Sequence, residues 1–246
     1  METLWLHGQE TPENSQQIAD RQGIFETFVW RQQPPVHWDL HAARWQKGQE
    51  FLGIQAPTLA ELQPLLAPHM LETPTRVRLT LLKSGAILLG RRPMLESELE
   101  PRPWRLQTGP RLRDPTEKGL DVKKLALLDG LTLRAEAHAR GADDVLILTL
   151  TGQWAETATA NVLVGLHDGR TVTPGPQAGA LTGTTLQAAR KVLQIQDLPL
   201  DDALLPEVAW MLVCNAVIGF RVVTALDGHI FAPPPAEILT ALASSL

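Results

Sequence analysis

Apolar residues recur along this chain at two spacings, every second position and every helical turn, and the switches between them outline the elements. After a polar start, QGIFETFVW follows Gly23 with Phe25, Phe28, Val29 and Trp30, a β-prone run that predicts a strand. WDLHAARWQKGQEFLGI sets Leu40, Ala43, Trp45, Phe51 and Leu52 loosely at helical spacing, with Gly53 as a stop. A second helix is expected in PTLAELQPLLAPHMLE, capped by Thr58 and interrupted by Pro64 and Pro68. RVRLTLL alternates charged and apolar residues, the pattern of a half-buried strand, and GAILLG is its expected partner across Lys83, Ser84 and Gly85. From Arg91 to about Lys118 the chain is polar and rich in proline and arginine, which reads as a solvated linker.

Beyond it, Leu125, Leu128, Leu131, Ala135 and Ala139 form a helical stripe that Gly141 ends. VLILTL suits a central strand, Thr151-Gly152 turns the chain, and Asp168-Gly169 joins NVLVGL to RTVT as a hairpin. A helix, LQAARKVL, is expected after Gly183, Thr184 and Thr185. VAWMLVCNAVIGFRVVTALDGHIF divides into two strand-like halves around Gly219, and PAEILTALASSL closes the chain as a short helix. Helices followed by a hairpin-rich sheet predict an α+β fold rather than a doubly wound parallel one. The expected division is a smaller N-terminal α/β domain over 1–115 and a larger, sheet-rich C-terminal domain over 116–246.

Composition narrows the function classes. The 246 residues are 44% hydrophobic and 20% charged, the balance of a soluble globular protein. A net charge of -5 leaves no electrostatic footprint for nucleic acid. Arg221 and Asn215 interrupt the longest apolar run, so no membrane span is expected, and METLWLHGQETPE lacks the pattern of a signal peptide. A cytoplasmic location follows as the expectation. The single cysteine, Cys214, excludes an internal disulfide and reads as a buried small hydrophobe. His37 and His41 stand four apart without a third ligand beside them, so no metal site is expected.

Candidate chemistry concentrates between Asp121 and Asn161, where a lysine pair precedes a helix, a strand, a turn and an acid. Lys123 offers an amine and Glu156 a carboxylate that a hairpin brings back toward it. Lys124 rivals Lys123. Gly183, Thr184 and Thr185 precede a helix, where free backbone amides suit either an ordinary cap or a bound anion. His41 and Arg44, one turn apart, share a helix face. By itself Arg44 reads as a solvated arginine.

The texts VKKL, GADDVLIL, TGQWAET, TANVLV, LTGTTL and VCNAVIGFRVV, with DRQGIFET and HAAR before them, resemble the aminotransferase class IV family of fold type IV pyridoxal-phosphate enzymes. That family includes branched-chain aminotransferases, D-amino acid aminotransferases and aminodeoxychorismate lyases. The resemblance implies pyridoxal 5'-phosphate as cofactor, held by Lys123, with Glu156 at its ring nitrogen. It implies that Arg44, Gly183, Thr184 and Thr185 hold the phosphate, and that Asn215 and Ala216 line the pocket. It further implies a homodimer and a small-molecule amine substrate. The phenylalanine-glutamate-threonine text, the CNA of VCNAV and the short chain look most like the lyase branch, which releases pyruvate from 4-amino-4-deoxychorismate to form the folate precursor 4-aminobenzoate. The alternatives are an aminotransferase for branched-chain or D-amino acids and a non-catalytic member of the fold.

Three positions depart from the family pattern. Leu127 stands where transaminases of the family carry tyrosine and its lyases arginine, and the chain has no tyrosine at all. Leu186 replaces the usual arginine after the phosphate-loop threonine, and Ala155 the common threonine before the glutamate. Among the arginines of the proline-rich stretch, Arg91 and Arg92 are weak candidates for a substrate carboxylate.

Overall fold

The computed structural model describes residues 2–246, with every side chain there except those of Ser97, Leu128 and Asp129. Leu128, counted in the expected helical stripe, therefore lies outside the described side chains. The chain divides into two compact units, Met1–Leu99 with Val122–Leu127, and Glu100–Asp121 with Leu128–Leu246.

The first unit runs β1 (Glu2–His7), α1 (Pro12–Ala19), β2 (Gly23–Trp30), α2 (Trp38–Leu52), α3 (Leu59–Leu66), β3 (Thr75–Leu82), β4 (Ile87–Pro93) and the short α4 (Glu96–Leu99). Its strands form an antiparallel sheet in the order β1-β4-β3-β2. Strand β1 and helix α1 lie in the polar start of the chain; most of their residues stay exposed, so they leave no periodic apolar signal. Alternation gives the sheet two unlike faces. Ile24, Phe28, Trp30, Val77, Leu79, Leu81, Ile87 and Leu89 turn to one face and pack with Trp45 of α2 and with Leu59, Leu62 and Leu66 of α3. The other face carries Phe25, Thr27, Arg76 and Arg78, with Phe25 opposite Thr80 and Thr27 opposite Arg78 in the ladder. Helix α2 ends where Gly53 turns left-handed at φ 69°, and Thr58 caps α3 in a box with Glu61.

Val122–Leu127 returns to this unit. Val122 is buried in its core, and the Phe25 N–H donates to the Lys123 carbonyl at 2.9 Å.

The second unit contains β5 (Trp104–Arg113), α5 (Gly130–Ala139), β6 (Asp144–Thr149), β7 (Trp154–Thr157), β8 (Asn161–Leu166), β9 (Thr171–Thr173), α6 (Thr184–Ala189), β10 (Ile195–Asp197), β11 (Val208–Asn215), β12 (Gly219–Leu226), β13 (His229–Ile230) and α7 (Ala236–Ala243). Its sheet has the order β10-β9-β8-β11-β12-β5-β6-β7, with β13 beside β12. One face buries Leu146, Trp154, Val162, Val164, Met211 and Val213, and the other packs Leu163, Trp210, Leu212 and Cys214 against α6 and α7. Burial pushes the Cys214 thiol up to about 12, so it stays protonated, as befits a core residue.

Two expectations are corrected. The proline-rich stretch is not a solvated linker throughout, because β5 lies parallel between β12 and β6 and buries Trp104 and Leu106. Its Pro110 falls where the β5–β6 register shifts, a place that needs no ladder hydrogen bond. Helix α6 starts at Thr184 rather than after Thr185, and it ends at Ala189, short of the expected Leu193.

Where β8 meets β11, Gly165 sits directly across from Trp210. A Cβ on Gly165 would lie 1.9 Å from the Trp210 ring, so the indole occupies the place of the missing side chain. Gly165→Ala should therefore cost about 1–3 kcal/mol by overpacking and lower the midpoint of thermal unfolding by several degrees. An unchanged midpoint in a calorimetric scan would show that Trp210 yields freely.

Candidate active site

On the core face of β2, between Ile24 and Phe28, stands an acid. Glu26 is only 1% exposed. It survives there because α2 brings two donors to it from one helical turn. Arg44 donates from Nε to Oε1 and from Nη2 to Oε2, each at 2.6 Å, and the His41 ring Nδ1 lies 2.7 Å from Oε2. Phe28 and Trp38 pack edge-on and tilted against the His41 ring. Burial alone would push the Glu26 carboxyl up; Arg44 first and then His41 outweigh it and hold the group at about 2. Arg44 is thus a buried, oriented cation rather than a solvated one.

The opposite face of the same strand presents different chemistry. The Lys123 amine lies 4.7 Å from the centre of the Phe25 ring, and the Arg78 guanidinium lies 5.2 Å from it. Lys124 diverges, with its amine 5.8 Å from the Phe51 ring of α2. Arg76 and Arg92 both bond Glu98, whereas Arg78 faces no carboxylate among the described residues. The buried Arg78 Nε and Thr27 Oγ1, from residues opposite each other in the ladder, have no hydrogen-bond partner among the described residues. Burial, then the charges of Arg76 and Arg92, push the Arg78 pKa down. Arg91 binds Glu2 and the His69 carbonyl.

In the second unit, β7 carries Glu156 opposite Ile147 of β6. Arg113 of β5 approaches Glu156 Oε1 to 2.7 Å, and Oε2 accepts the Leu181 N–H at 3.1 Å. The carbonyl of that same Leu181 accepts the Asn161 amide at 2.7 Å. The two peptide groups that flank Leu181 therefore tie the acid and Asn161 to the segment that leads into α6. A Cβ on Gly183 would lie 2.0 Å from Asn161 Oδ1, so any larger residue there would displace the Asn161 amide from its bond to Leu181. Thr184 and Thr185 occupy the first turn of α6, and Leu186 is buried with Leu163 and Trp210. Asn215 ends β11, accepts the Val217 and Ile218 N–H groups at 2.8 and 3.0 Å, and donates to the Thr159 carbonyl at 2.9 Å, which shapes the turn at Ala216. Buried Asp144 accepts both Thr157 and Thr159 hydroxyls; burial pushes its carboxyl up.

The first unit thus groups Arg44 with Glu26 and places Lys123 with Phe25, while the second links Glu156 to the Gly183 segment. Sequence reasoning missed Arg78 and Asn161, left Arg113 undistinguished among the arginines of the proline-rich stretch, and read Glu26 only as part of the phenylalanine-glutamate-threonine text. Alternation in RVRLTLL was the available signal for Arg78, since every charge falls on one face.

A family model for amino-transferase class IV matches residues 23–226. The chain belongs to the class IV aminotransferases. No curated protein matches its sequence. Among solved structures, it is similar to a hypothetical aminotransferase from Mycobacterium tuberculosis in its PLP-bound form, at 17% identity over 99% of this chain and 98% of that one, with a TM-score of 0.83. It is similar to a provisionally assigned 4-amino-4-deoxychorismate lyase from Legionella pneumophila, at 20% identity over 92% and 91% of the two chains, with a TM-score of 0.79. A branched-chain aminotransferase from Thermoproteus uzoniensis with norvaline aligns at 14% identity over 100% and 93%, with a TM-score of 0.83. At such identities these likenesses establish the fold.

Class IV aminotransferases are pyridoxal 5'-phosphate enzymes, and this chain is one of them. Its residues fit that cofactor: an amine against an aromatic face, a buried carboxylate, and a glycine packed closely on Asn161 before two threonines. Among the described residues no helix is long and apolar enough to cross a membrane.

The Glu26 carboxyl, at about 2 against an ordinary 4.5, makes stability depend on pH. Its folded value is depressed, so its contribution is complete above the unfolded value and drains as the pH falls toward 2. The shift corresponds to on the order of 3 kcal/mol. The stability gap between wild type and Glu26→Gln should be level above about pH 5.5 and shrink below it. Urea midpoints across that range measure the gap, and one that widens toward acid would contradict the assignment.

Proposed function

We propose that this class IV enzyme is a 4-amino-4-deoxychorismate lyase, forming 4-aminobenzoate and pyruvate in folate precursor synthesis. One observation carries this proposal: the Lys123 amine and the Arg78 guanidinium share the Phe25 ring, on a sheet face where Glu98 pairs with Arg76 and Arg92 and leaves Arg78 facing no carboxylate among the described residues. A base beside a cation-rich face suits a substrate with two carboxylates better than an amino acid with one. The absence of tyrosine, with Leu127 in its family position, favours a lyase over a transaminase.

Pyridoxal phosphate, when bound, supplies the electron sink conjugated to the substrate amine. Lys123 would hold the cofactor and, when free of it, would be the general base that takes the proton from the amine-bearing carbon. The electron pair left behind forms the aromatic ring as the bond to the enolpyruvyl oxygen breaks. Pyruvate leaves after its enol gains a proton, so the balance needs no oxidant and no second keto acid. Glu156 is assigned the ring nitrogen, and Arg44, Gly183, Thr184 and Thr185 the phosphate, with Asn215 and Ala216 shaping the turn beside it. Arg78 and Thr27 are assigned a substrate carboxylate. A cytoplasmic homodimer is part of the proposal by family resemblance.

Purified protein with pyridoxal phosphate should show an absorbance band that borohydride traps on Lys123, and Lys123→Ala should lack it. Given 4-amino-4-deoxychorismate, wild type should release 4-aminobenzoate and pyruvate in equal amounts. Conversion of the cofactor to its amine form by a branched-chain or D-amino acid alone, without pyruvate release, would instead assign an aminotransferase. Arg78→Met should lower kcat/KM roughly 10- to 100-fold, mostly through KM, as expected for a lost charged hydrogen bond. An unchanged KM would remove Arg78 from the substrate site.

A further inference from the structure

Glu26 has no role in the chemistry above, yet it is only 1% exposed and is held by three bonds of 2.6–2.7 Å. A buried ion pair is weak evidence of a stability device, because apolar residues of similar volume commonly serve as well or better. What such a pair does supply is direction. The Glu26 fork engages Nε and Nη2 of Arg44 together, which fixes the plane of the guanidinium and so the direction of Nη1. His41 steadies the acid from the third side, and its ring is itself wedged by Phe28 and Trp38. Short, dry contacts on a strand and a helix hold a group to the tolerance that ligand recognition needs, where a lone arginine side chain would sample many rotamers.

We propose that Glu26 is a positioning residue that aims Arg44 at the cofactor phosphate, so that the enzyme's preference for the phosphorylated cofactor depends on the Glu26–His41–Arg44 cluster and not on Arg44 alone. This rests on Arg44 as a phosphate ligand. Charge and geometry make opposite demands here. Removing the negative charge of Glu26 would by Coulomb attraction alone strengthen anion binding at Arg44. Losing the fork would weaken it by letting the guanidinium turn away. The direction of the effect therefore reports which role Glu26 has.

The experiment compares equilibrium binding of pyridoxal 5'-phosphate and of pyridoxal, which lacks the phosphate, to the full-length protein and its variants, followed by cofactor absorbance without any substrate. The ratio of the two dissociation constants is the phosphate preference. Arg44→Met should collapse that ratio. Glu26→Gln should lower it about tenfold or more while pyridoxal affinity stays within about threefold of wild type, as loss of one oriented charged contact implies. His41→Phe, which keeps an aromatic ring between Phe28 and Trp38, should lower the ratio less; it carries the test if Glu26→Gln yields no folded protein. A ratio that is unchanged or raised in Glu26→Gln, or one unchanged in His41→Phe where only that variant folds, overturns the positioning role, as does an equal loss for both ligands. If Arg44→Met keeps the full ratio, Arg44 is not the phosphate ligand and the inference falls with it. If Arg44→Met collapses the ratio and Glu26→Gln does not, the role of Glu26 alone falls.

Discussion

A carboxylate taken out of water must be met by donors, and around Glu26 that requirement organises the first unit. Strand β2 turns Ile24, Glu26, Phe28 and Trp30 to one side, so the acid lies in a row of apolar residues. Its neutralisation cannot come from solvent. Helix α2 answers with His41 and Arg44, one turn apart, and the close approach this needs is visible at Gly48, where a Cβ would meet Ile24 at 2.2 Å. Helix position, strand register and charge pairing are therefore one constraint.

The same strand faces outward with Phe25 and Thr27, and this second face gathers the cations. Lys123 reaches Phe25 because the Val122–Leu127 segment is stitched to β2 by the Phe25 N–H and by the bridge between Ile24 and Lys124. That bond fixes which of two adjacent lysines meets the ring, since successive side chains of an extended segment point opposite ways. Arg78 arrives on the same face from β3 by the same alternation. The sheet thus has an apolar side that serves as core wall and a cationic side that carries the proposed site.

In the second unit the organising contact is smaller. The Leu181 N–H donates to Glu156 and the Leu181 carbonyl accepts from Asn161, so the acid and the segment leading into α6 are fixed through one residue. The buried Leu186 is intelligible here: it packs with Leu163 and Trp210 under α6, where the family pattern has an arginine. Arg113 brings a guanidinium to Glu156 instead. Lyase chemistry and transamination differ in what happens after proton removal, and a face rich in arginine with no tyrosine favours the substrate with more negative charge.

By itself the sequence determined the strands marked by dense apolar or β-branched runs, from QGIFETFVW through VLILTL to the pair around Gly219, because strands buried along their length must be built from such residues. The order of its motifs also determined the family, and with it the lysine, the acid and the glycine-threonine loop as expectations. Other features escaped it for physical reasons. Strand β1 and helix α1 bury too little to leave a pattern. Strand β5 hides behind prolines that a bulge tolerates, and Arg113 was lost with it in an apparent linker. Only the tertiary structure decided that Glu26 is an anion locked to Arg44, that Arg78 is a partly buried cation facing no described carboxylate, and that Asn161 crowds position 183. Each of these is a contact between residues far apart in the chain, and its energy depends on burial and register that no local pattern encodes.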